Sequence, residues 1–203
     1  MYAISVTGTA GSGKSLLTSK LIEWYASNNA YVIALYLDLG AVNLPYEPTI
    51  DVRDHIDIGT IVESYGLGQT SNLSCESKAV FVLDVILVSS PTNFVSIALL
   101  ATSIRLRLHL PQVNVLSKIG LMKANRVLTW SSNIALLEQA ISSEVQGESY
   151  LLSMQLLKGI VKGGFSMELF AVSSATSEGM INLVAALSRI FKIGEEVEDL
   201  CLK

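Results

Sequence analysis

The stretch GTAGSGKS, residues 8–15, has the full spacing G-x-x-x-x-G-K-[ST]. It follows the apolar run YAISVTG (2–8), which is typical of a buried strand, and it leads into SLLTSKLIEWYASNN (15–29), whose apolar residues recur at helical spacing. A glycine-rich loop between a strand and a helix can bind phosphate, because its backbone N–H groups and the helix N-terminus face the anion. The stretch therefore predicts a phosphate-binding loop.

The residue types in this loop each have a chemical reason. Glycines let successive N–H groups turn toward phosphate oxygens, Lys14 can reach the β and γ phosphates, and the Ser15 hydroxyl can be a ligand of Mg²⁺. A glycine-rich turn with an incidental lysine is the alternative, and the agreement of strand, loop length and helix argues against it. The predicted nucleotide-binding residues of the loop are Gly8, Thr9, Ala10, Gly11, Ser12, Gly13, Lys14, Ser15 and Leu16.

Apolar runs typical of strands alternate with helical patterns along the rest of the chain. The predicted strands are 31–40, 79–88, 112–118 and 167–174, and the predicted helices are 92–109, 135–145 and 177–191. This alternation favours parallel strands joined by right-handed crossovers. We therefore predict an α/β fold with an open, mainly parallel sheet and helices on both faces, in a single domain over residues 1–203.

Composition and charge narrow the class of protein. The chain has 203 residues, of which 50% are hydrophobic, and this is enough for one sizeable core. A net charge of −4 argues against a nucleic-acid surface, since such a surface needs clustered lysine and arginine. Cys75 and Cys201 are far apart and lack a second Cys-x-x-Cys element, which disfavours both a disulfide framework and a zinc site. A reducing environment suits this cysteine usage.

The apolar segments do not predict a membrane protein. The start MYAISVTGTAG lacks the basic region of a signal peptide. The most apolar stretch, 79–110, is broken by Asp84, Pro91 and Asn93, so it leaves no run near the roughly 20 residues that a membrane span requires. We expect a cytoplasmic protein with no membrane contact.

Asp38 closes the predicted strand 31–40, at the sheet edge where parallel-sheet proteins present groups to their ligands. A carboxylate there could hold a metal-bound water or orient an attacking water. A helix N-cap or a solvated aspartate explains the same residue equally well. The residues alone leave these readings open.

Two segments together carry a family resemblance. The stretch LDLGAVNLPYEPTIDVRDHID (37–57), taken with GTAGSGKS, closely resembles the GPN-loop GTPases, in which a strand-ending aspartate precedes a stretch of the form L-P-Y-E-P-x-I-D-V-R-D. Residues 44–54 match that stretch in order. The segment YGLG (65–68) resembles the approach to the family's Gly-Pro-Asn tripeptide. The resemblance thus makes Gly68 the glycine of that motif.

Two later segments resemble the guanine side of the family's site. NVLSK (114–118) is similar to the N-K-x-D region, with Ser117 and Lys118 at its Asn and Lys positions, and VSSATSEGMINLVAAL (172–187) is similar to the guanine-side loop and last helix. The aliphatic stem of Lys118 could lie along a purine face while its charge stays in water. Backbone amides near Ser174 and Ala175 could donate to the guanine carbonyl oxygen. A surface lysine after a strand is the simpler explanation of Lys118 alone.

The resemblance implies an activity. It implies hydrolysis of GTP to GDP and phosphate with Mg²⁺, with Lys14 and Asp38 as catalytic residues and with Ser15 and Asp38 as metal ligands. It also implies a homodimer in which each Gly-Pro-Asn loop reaches toward the partner's nucleotide, so that hydrolysis and subunit opening form one conformational switch. The compact chain without long tails suits an archaeal-type member.

The sequence departs from the family at two places. Gln69 follows Gly68, no D-x-x-G occurs between Gly68 and Ser77, and residues 69–78 are too few for the missing strand and its crossover. We therefore hypothesise a further segment of roughly 40 to 50 residues between about Gly68 and Gln69, the size of one βαβ unit. Gly120 stands where the guanine-reading aspartate is expected. Either base specificity is altered, or a short loop after Ile119 is also missing.

Two other functions fit parts of the sequence. The first is an assembly or chaperone-like factor with little turnover and a client protein, since eukaryotic relatives are associated with RNA polymerase assembly. The second is a small P-loop kinase, which would need an acceptor site and an arginine-bearing lid. The arginines do not cluster as a lid would require, and they are Arg53, Arg105, Arg107, Arg126 and Arg189.

Overall fold

The structure is a computed structural model. It describes residues 2–37, 43–54, 77–121, 124–165 and 167–201, with the backbone alone over 192–201. The described residues form two compact units, one made of residues 2–14 and 77–201 and the other of residues 15–37 and 43–54. The prediction of one domain over residues 1–203 stays a prediction.

Strands and helices alternate over most of the described chain. The strands are β1 (Ala3–Gly8), β2 (Leu35–Tyr36), β3 (Ile50–Asp51), β4 (Ser77–Asp84), β5 (Gln112–Ser117) and β6 (Leu169–Ala171). The helices are α1 (Lys14–Ser27), α2 (Pro91–Leu108), α3 (Asn125–Ser132), α4 (Ile134–Glu144), α5 (Gly147–Lys162) and α6 (Met180–Cys201). Short 3₁₀ turns cover Val52–Asp54 and Leu87–Ser89.

The main sheet has the order β1-β4-β5-β6, and every pairing in it is parallel. Ala3 pairs with Ser77 at one end of β1, and Gly8 pairs with Val82 at the other. Parallel neighbours need long crossovers, and α2 supplies the one between β4 and β5 while α3, α4 and α5 lie in the one between β5 and β6. The predicted α/β fold with a mainly parallel sheet is confirmed.

Strand β4 is the buried centre of this sheet. Seven consecutive residues, Ser77–Leu83, are buried, and neighbouring side chains of a strand point to opposite faces. Both faces of the sheet are therefore covered at β4. Phe81 and Leu83 belong to a core cluster that includes Phe94 of α2 and Trp130 of α3, whose rings lie 6.0 Å apart in an edge-on arrangement.

The second unit contains a two-stranded parallel sheet of β2 and β3. The sequence predicted one long strand over 31–40, buried on both faces, and this prediction is wrong over the described part. Only Leu35–Tyr36 is strand, and Tyr31, Leu35 and Leu37 are 92%, 57% and 67% exposed. Burial of both faces requires paired strands and covering layers, and within the described residues β2 pairs only with the two residues of β3.

Helices α3 and α5 were not predicted. In α5 the buried positions are Ser153, Leu157 and Ile160, so a serine occupies one position of the apolar stripe. In α3 only Val127 and Trp130 are buried, which is too short a pattern to stand out. No helix in the described part of the chain is long and apolar enough to cross a membrane.

Candidate nucleotide-binding site

The glycine-rich loop begins where β1 meets the backbone of β4. Gly8 has φ +148°, and a Cβ placed on it would lie 2.3 Å from the carbonyl oxygen of Val82. No side chain fits there unless the backbone shifts, so the glycine is required by the close approach of two strands. Gly11 and Gly13 also have positive φ, at +72° and +89°. The loop therefore has the backbone freedom that the sequence predicted for it.

The loop closes around the carbonyl oxygen of Thr9. The Lys14 ammonium donates a hydrogen bond to this oxygen at 3.0 Å, and the backbone N–H of Ser12 donates to it at 3.2 Å. Lys14 is also the first residue of α1. The lysine predicted to contact phosphates therefore lies against the loop itself.

Two hydroxyl groups inside the loop are buried. The Oγ1 atom of Thr9 and the Oγ atom of Ser12 have no hydrogen-bond partner among the described residues, and Ser12 is fully buried. A buried hydroxyl without a partner is costly, whereas a bound anion would accept its hydrogen. The loop thus fits an anionic group such as a phosphate. Ser15 and Leu16 follow in α1, half-buried and exposed respectively.

Ser117 lies at the carboxyl end of β5 and is 3% exposed. Its hydroxyl oxygen lies 2.7 Å from the carbonyl oxygen of Ser12 and 2.9 Å from that of Leu83, so both carbonyl oxygens lie within reach of its single hydrogen. The sequence placed Ser117 at the base of the nucleotide. In the structure its contacts are with the backbone of the loop and of β4, so it links the two.

Lys118 has a left-handed backbone, with φ +62°. Its ammonium donates to Oδ2 of Asp84 at 2.6 Å, and the two side chains are 31% and 14% exposed. In the sequence, Asp84 was identified only as a residue that interrupts an apolar stretch. Its position at the end of the most buried strand, at the ligand-facing edge of the sheet, marks Asp84 as a candidate site residue, but this position does not reveal its contact with Lys118.

The second segment predicted for the base side is a turn after β6. Ser173 donates its backbone N–H to the carbonyl oxygen of Glu178 at 3.0 Å, which closes the turn. Ser174 is buried and Ala175 is exposed within it. A Cβ on Gly120 would lie 3.7 Å from Oγ of Ser173, so the segment after Lys118 and this turn lie side by side. The structure thus brings both predicted base-side segments together.

Asp38 and Gly68 lie outside the described residues, so their predicted roles stay predictions. The described part of the chain holds no group of three or more His, Cys, Asp or Glu side chains that could bind a metal ion. In the second unit, Arg53 donates to both carboxylate oxygens of Asp51 and lies over the ring of Tyr36 at 4.9 Å. These hydrogen bonds to Asp51 raise the pKa of the Arg53 guanidinium above its usual value.

Comparison with known proteins identifies a family. The chain matches the sequence model of a family described as a conserved hypothetical ATP binding protein, in two stretches, residues 6–75 and 70–193. A GPN-loop GTPase 2 homolog of Dictyostelium discoideum is 20% identical over 91% of this chain and 78% of its own length. GPN-loop GTPase 1 of Schizosaccharomyces pombe is 23% identical over 96% of this chain and 70% of its own.

A protein of Pyrococcus abyssi matches as well, both in sequence and as a solved structure. A GPN-loop GTPase of Pyrococcus abyssi is 47% identical over a shorter stretch, 29% of this chain and 24% of its own. A solved structure described as a GTPase in apo form from Pyrococcus abyssi has a TM-score of 0.79, with 22% identity, over 93% of this chain and 97% of that one. This likeness shows the fold, an α/β fold with a mainly parallel sheet.

The alignments also differ from this chain in length. The Dictyostelium alignment spans 244 residues, although it includes only 91% of the 203 residues here. The yeast alignment spans 256 residues and includes 96% of them. These relatives therefore contain residues that have no counterpart in this sequence.

Proposed function

This chain belongs to the matched family, the GPN-loop GTPases, and from this premise we propose that it binds GTP and hydrolyses it to GDP and phosphate. The observation that carries the proposal is the loop between β1 and α1. Its three glycines with positive φ, its buried hydroxyls and the ammonium of Lys14 converge on one short segment. Such a segment stabilises the charge of a phosphoryl group.

The roles of the loop residues follow from their positions. Lys14 exchanges the carbonyl oxygen of Thr9 for phosphate oxygens when the nucleotide binds, because the anion is the stronger acceptor. Ser117 keeps the loop in place through the carbonyl oxygen of Ser12. Lys118, Ser174 and Ala175 contact the base.

Mg²⁺ is part of the proposed reaction, and it neutralises charge on the phosphates when bound. We assign its protein ligands to the hydroxyl of Ser15 and the carboxylate of Asp38. Both are oxygen donors, which Mg²⁺ prefers, and it usually takes only one or two such groups from the protein. The assigned donors therefore suit this ion.

A lysine variant tests the proposed function. Lys14→Ala should weaken binding of GTP and GDP by about 100-fold, because a charge-assisted contact to the phosphates is lost. Lys20→Ala is the matched control, since Lys20 lies in the same helix and is paired with Glu23 at its surface. Calorimetric titration with GTP, GDP and ATP measures both variants. Equal affinities for Lys14→Ala and the unsubstituted chain would refute the proposal.

The titration also addresses the base. The family description names ATP, whereas the named relatives are GTPases. We propose that GTP is the preferred nucleotide, and that the two segments around Lys118 and Ser174 discriminate between guanine and adenine. An affinity for ATP equal to that for GTP would contradict this preference and point to Gly120 as its cause.

The finer features of the function follow from the family as proposals. We propose a cytoplasmic homodimer that acts as a nucleotide-dependent conformational switch, with Gly68 in the loop that faces the partner's nucleotide. Its protein client belongs to RNA polymerase assembly. Light scattering after gel filtration, with GDP and with a non-hydrolysable GTP analogue, tests the dimer. A monomer in both states would contradict it.

The complete polypeptide, on our proposal, also contains a segment of roughly 40 to 50 residues after Gly68, of βαβ size. Three observations support this proposal: the family match falls in two stretches, the relatives' alignments are longer than this chain, and no D-x-x-G follows Gly68. Mass spectrometry of the intact protein tests it. A mass of 21.9 kDa would mean that this chain lacks the segment.

An intact mass of 21.9 kDa, and thus a chain without the additional segment, would favour a second function. Without the D-x-x-G strand, the phosphate loop could still bind a nucleotide, but the groups for rapid hydrolysis would be incomplete. The chain would then be an assembly or chaperone-like factor in which the nucleotide selects between two shapes. Single-turnover hydrolysis near the uncatalysed rate, together with nucleotide-dependent client binding, would identify this function.

A further inference from the structure

Asp84 is a carboxylate that the proposed function does not use. It is the last residue of β4, and the register of β4 and β5 places it opposite Ser117, the residue before Lys118. The sheet itself therefore brings the carboxylate within reach of the Lys118 ammonium. This placement needs no flexible loop.

Both oxygens of the Asp84 carboxylate are occupied. Oδ1 accepts the backbone N–H of Ile86 at 2.9 Å, and Oδ2 accepts the Lys118 ammonium at 2.6 Å. The carboxylate is 14% exposed, so solvent competes little for either oxygen. The group is thus held in one orientation.

Lys118 is fixed at both of its ends. Its backbone lies in a turn in which its carbonyl oxygen accepts the N–H of Leu121 at 2.9 Å, and its ammonium is held by Asp84. A lysine stem is flexible by itself and has many rotamers. With both ends fixed, the aliphatic stem of Lys118 is restricted in its rotamers.

We propose that Asp84 is a positioning residue of the nucleotide site, which holds the stem of Lys118 in place for the base before the nucleotide arrives. This inference rests on the proposed function, in which that stem lies along the purine. Ordering a side chain before binding removes part of the entropy cost of binding. The benefit extends only to ligands that carry a base, since the phosphates are bound by the loop.

The contrast between two ligands tests this inference. Asp84→Asn keeps an oxygen for the N–H of Ile86 and removes the charge that holds Lys118. Calorimetric titration with Mg²⁺ should show that binding of GDP is about 10-fold weaker and that binding of inorganic pyrophosphate changes by less than about 2-fold. Glu144→Gln, which removes the carboxylate of another ion pair, that with Arg126, should change neither affinity.

A second variant asks whether Asp84 acts through Lys118. Lys118→Met keeps an apolar stem without the ammonium, and adding Asp84→Asn to it should weaken GDP binding no further. An equal loss for GDP and pyrophosphate, or an undiminished effect of Asp84→Asn beside Lys118→Met, would overturn the inference alone. If the unsubstituted chain bound neither ligand, the proposed function would fail with it.

Discussion

Strand β4 and the segment 31–37 have similar sequences and opposite environments. Both are rich in β-branched and aromatic residues, and both predict a strand buried on two faces. In β4 every residue from Ser77 to Leu83 is buried, whereas Tyr31, Ile33, Leu35 and Leu37 are all exposed. These four alternate along the segment, so they would line one face of an extended strand.

The difference lies in the neighbours of each segment. β4 has a parallel strand on each side, β1 and β5, while the second segment pairs only over Leu35–Tyr36 within the described part of the chain. Apolar composition therefore decides which segments gain from burial. The presence of paired strands and covering layers decides which of them are buried.

Truncation of a ring in each region should give the largest contrast. Phe81→Ala removes a fully buried ring from β4 and should lower the free energy of unfolding by about 3–5 kcal/mol. Tyr31→Ala removes a ring that is 92% exposed and should change it by less than about 0.5 kcal/mol. Urea unfolding followed by circular dichroism measures both. Similar losses of stability for the two variants would contradict the difference in burial between β4 and the segment 31–37.

The next effect concerns the backbone of β4 where it meets the loop. Gly8→Ala places a methyl group 2.3 Å from the carbonyl oxygen of Val82 and should cost about 2–3 kcal/mol, with loss of nucleotide binding. Gly11→Ala is the control, since its Cβ would meet no atom within 4 Å and only its positive φ is strained. It should cost about 1 kcal/mol. The same unfolding experiment ranks them, and a Gly8→Ala protein as stable as Gly11→Ala would contradict the close approach.

A smaller effect is expected where β5 supports β4 and the loop. Ser117→Ala leaves the carbonyl oxygens of Ser12 and Leu83 without their shared donor and should cost about 1–2 kcal/mol. Ser132→Ala, at an exposed hydroxyl of α3, should cost under about 0.5 kcal/mol. Thermal unfolding is sufficient to separate these values. No difference between the two would show that the link to the loop contributes nothing to stability.

The smallest effect on stability belongs to the exposed segment. Leu35→Ser should change the free energy of unfolding by less than about 0.5 kcal/mol, because Leu35 is 57% exposed. It should nevertheless reduce self-association at high concentration, since exposed apolar strands pair with other chains. Light scattering over a concentration series measures this, with Leu136→Ser on α4, 40% exposed, as the control. A destabilised Leu35→Ser protein would mean that the segment is buried in solution.

The sequence predicted the parts of the fold that depend on local pattern. The phosphate loop and the strands β1 and β5 were predicted because each combines an apolar run with a clear end, such as Gly8 or Ser117. The apolar run of β4 continues past its end, so the predicted strand 79–88 was wrong beyond Asp84, where a 3₁₀ turn follows over Leu87–Ser89. The burial and the strand length of the segment 31–40 were overestimated over its described part. Both depend on pairing with other strands, which no local pattern reveals. Helix α5 was missed because Ser153 interrupts its apolar stripe.

The part of the site formed by one continuous segment could be predicted from the sequence, whereas the contacts between distant segments could not. The loop residues form one continuous motif, and the structure gives them the backbone that the motif requires. The pair of Asp84 and Lys118 depends on the register of two strands, and Ser117 contacts the loop only because β5 ends beside it. Neither contact could be predicted from spacing along the chain.

The pairing of β1 with β4 has a consequence for the synthesis of the protein. Ala3 of β1 is paired with Ser77 of β4, and within the described residues no strand closer in sequence pairs with β1. Translation adds about 5–20 residues each second, so several seconds separate the two strands at the ribosome. The loop lies early in the sequence, but it gains the strand against which it packs only after β4 has been synthesised. A nascent chain that ends before Ser77 contains the sequence of the phosphate loop but lacks β4, the strand that pairs with β1 and contacts the loop at Gly8.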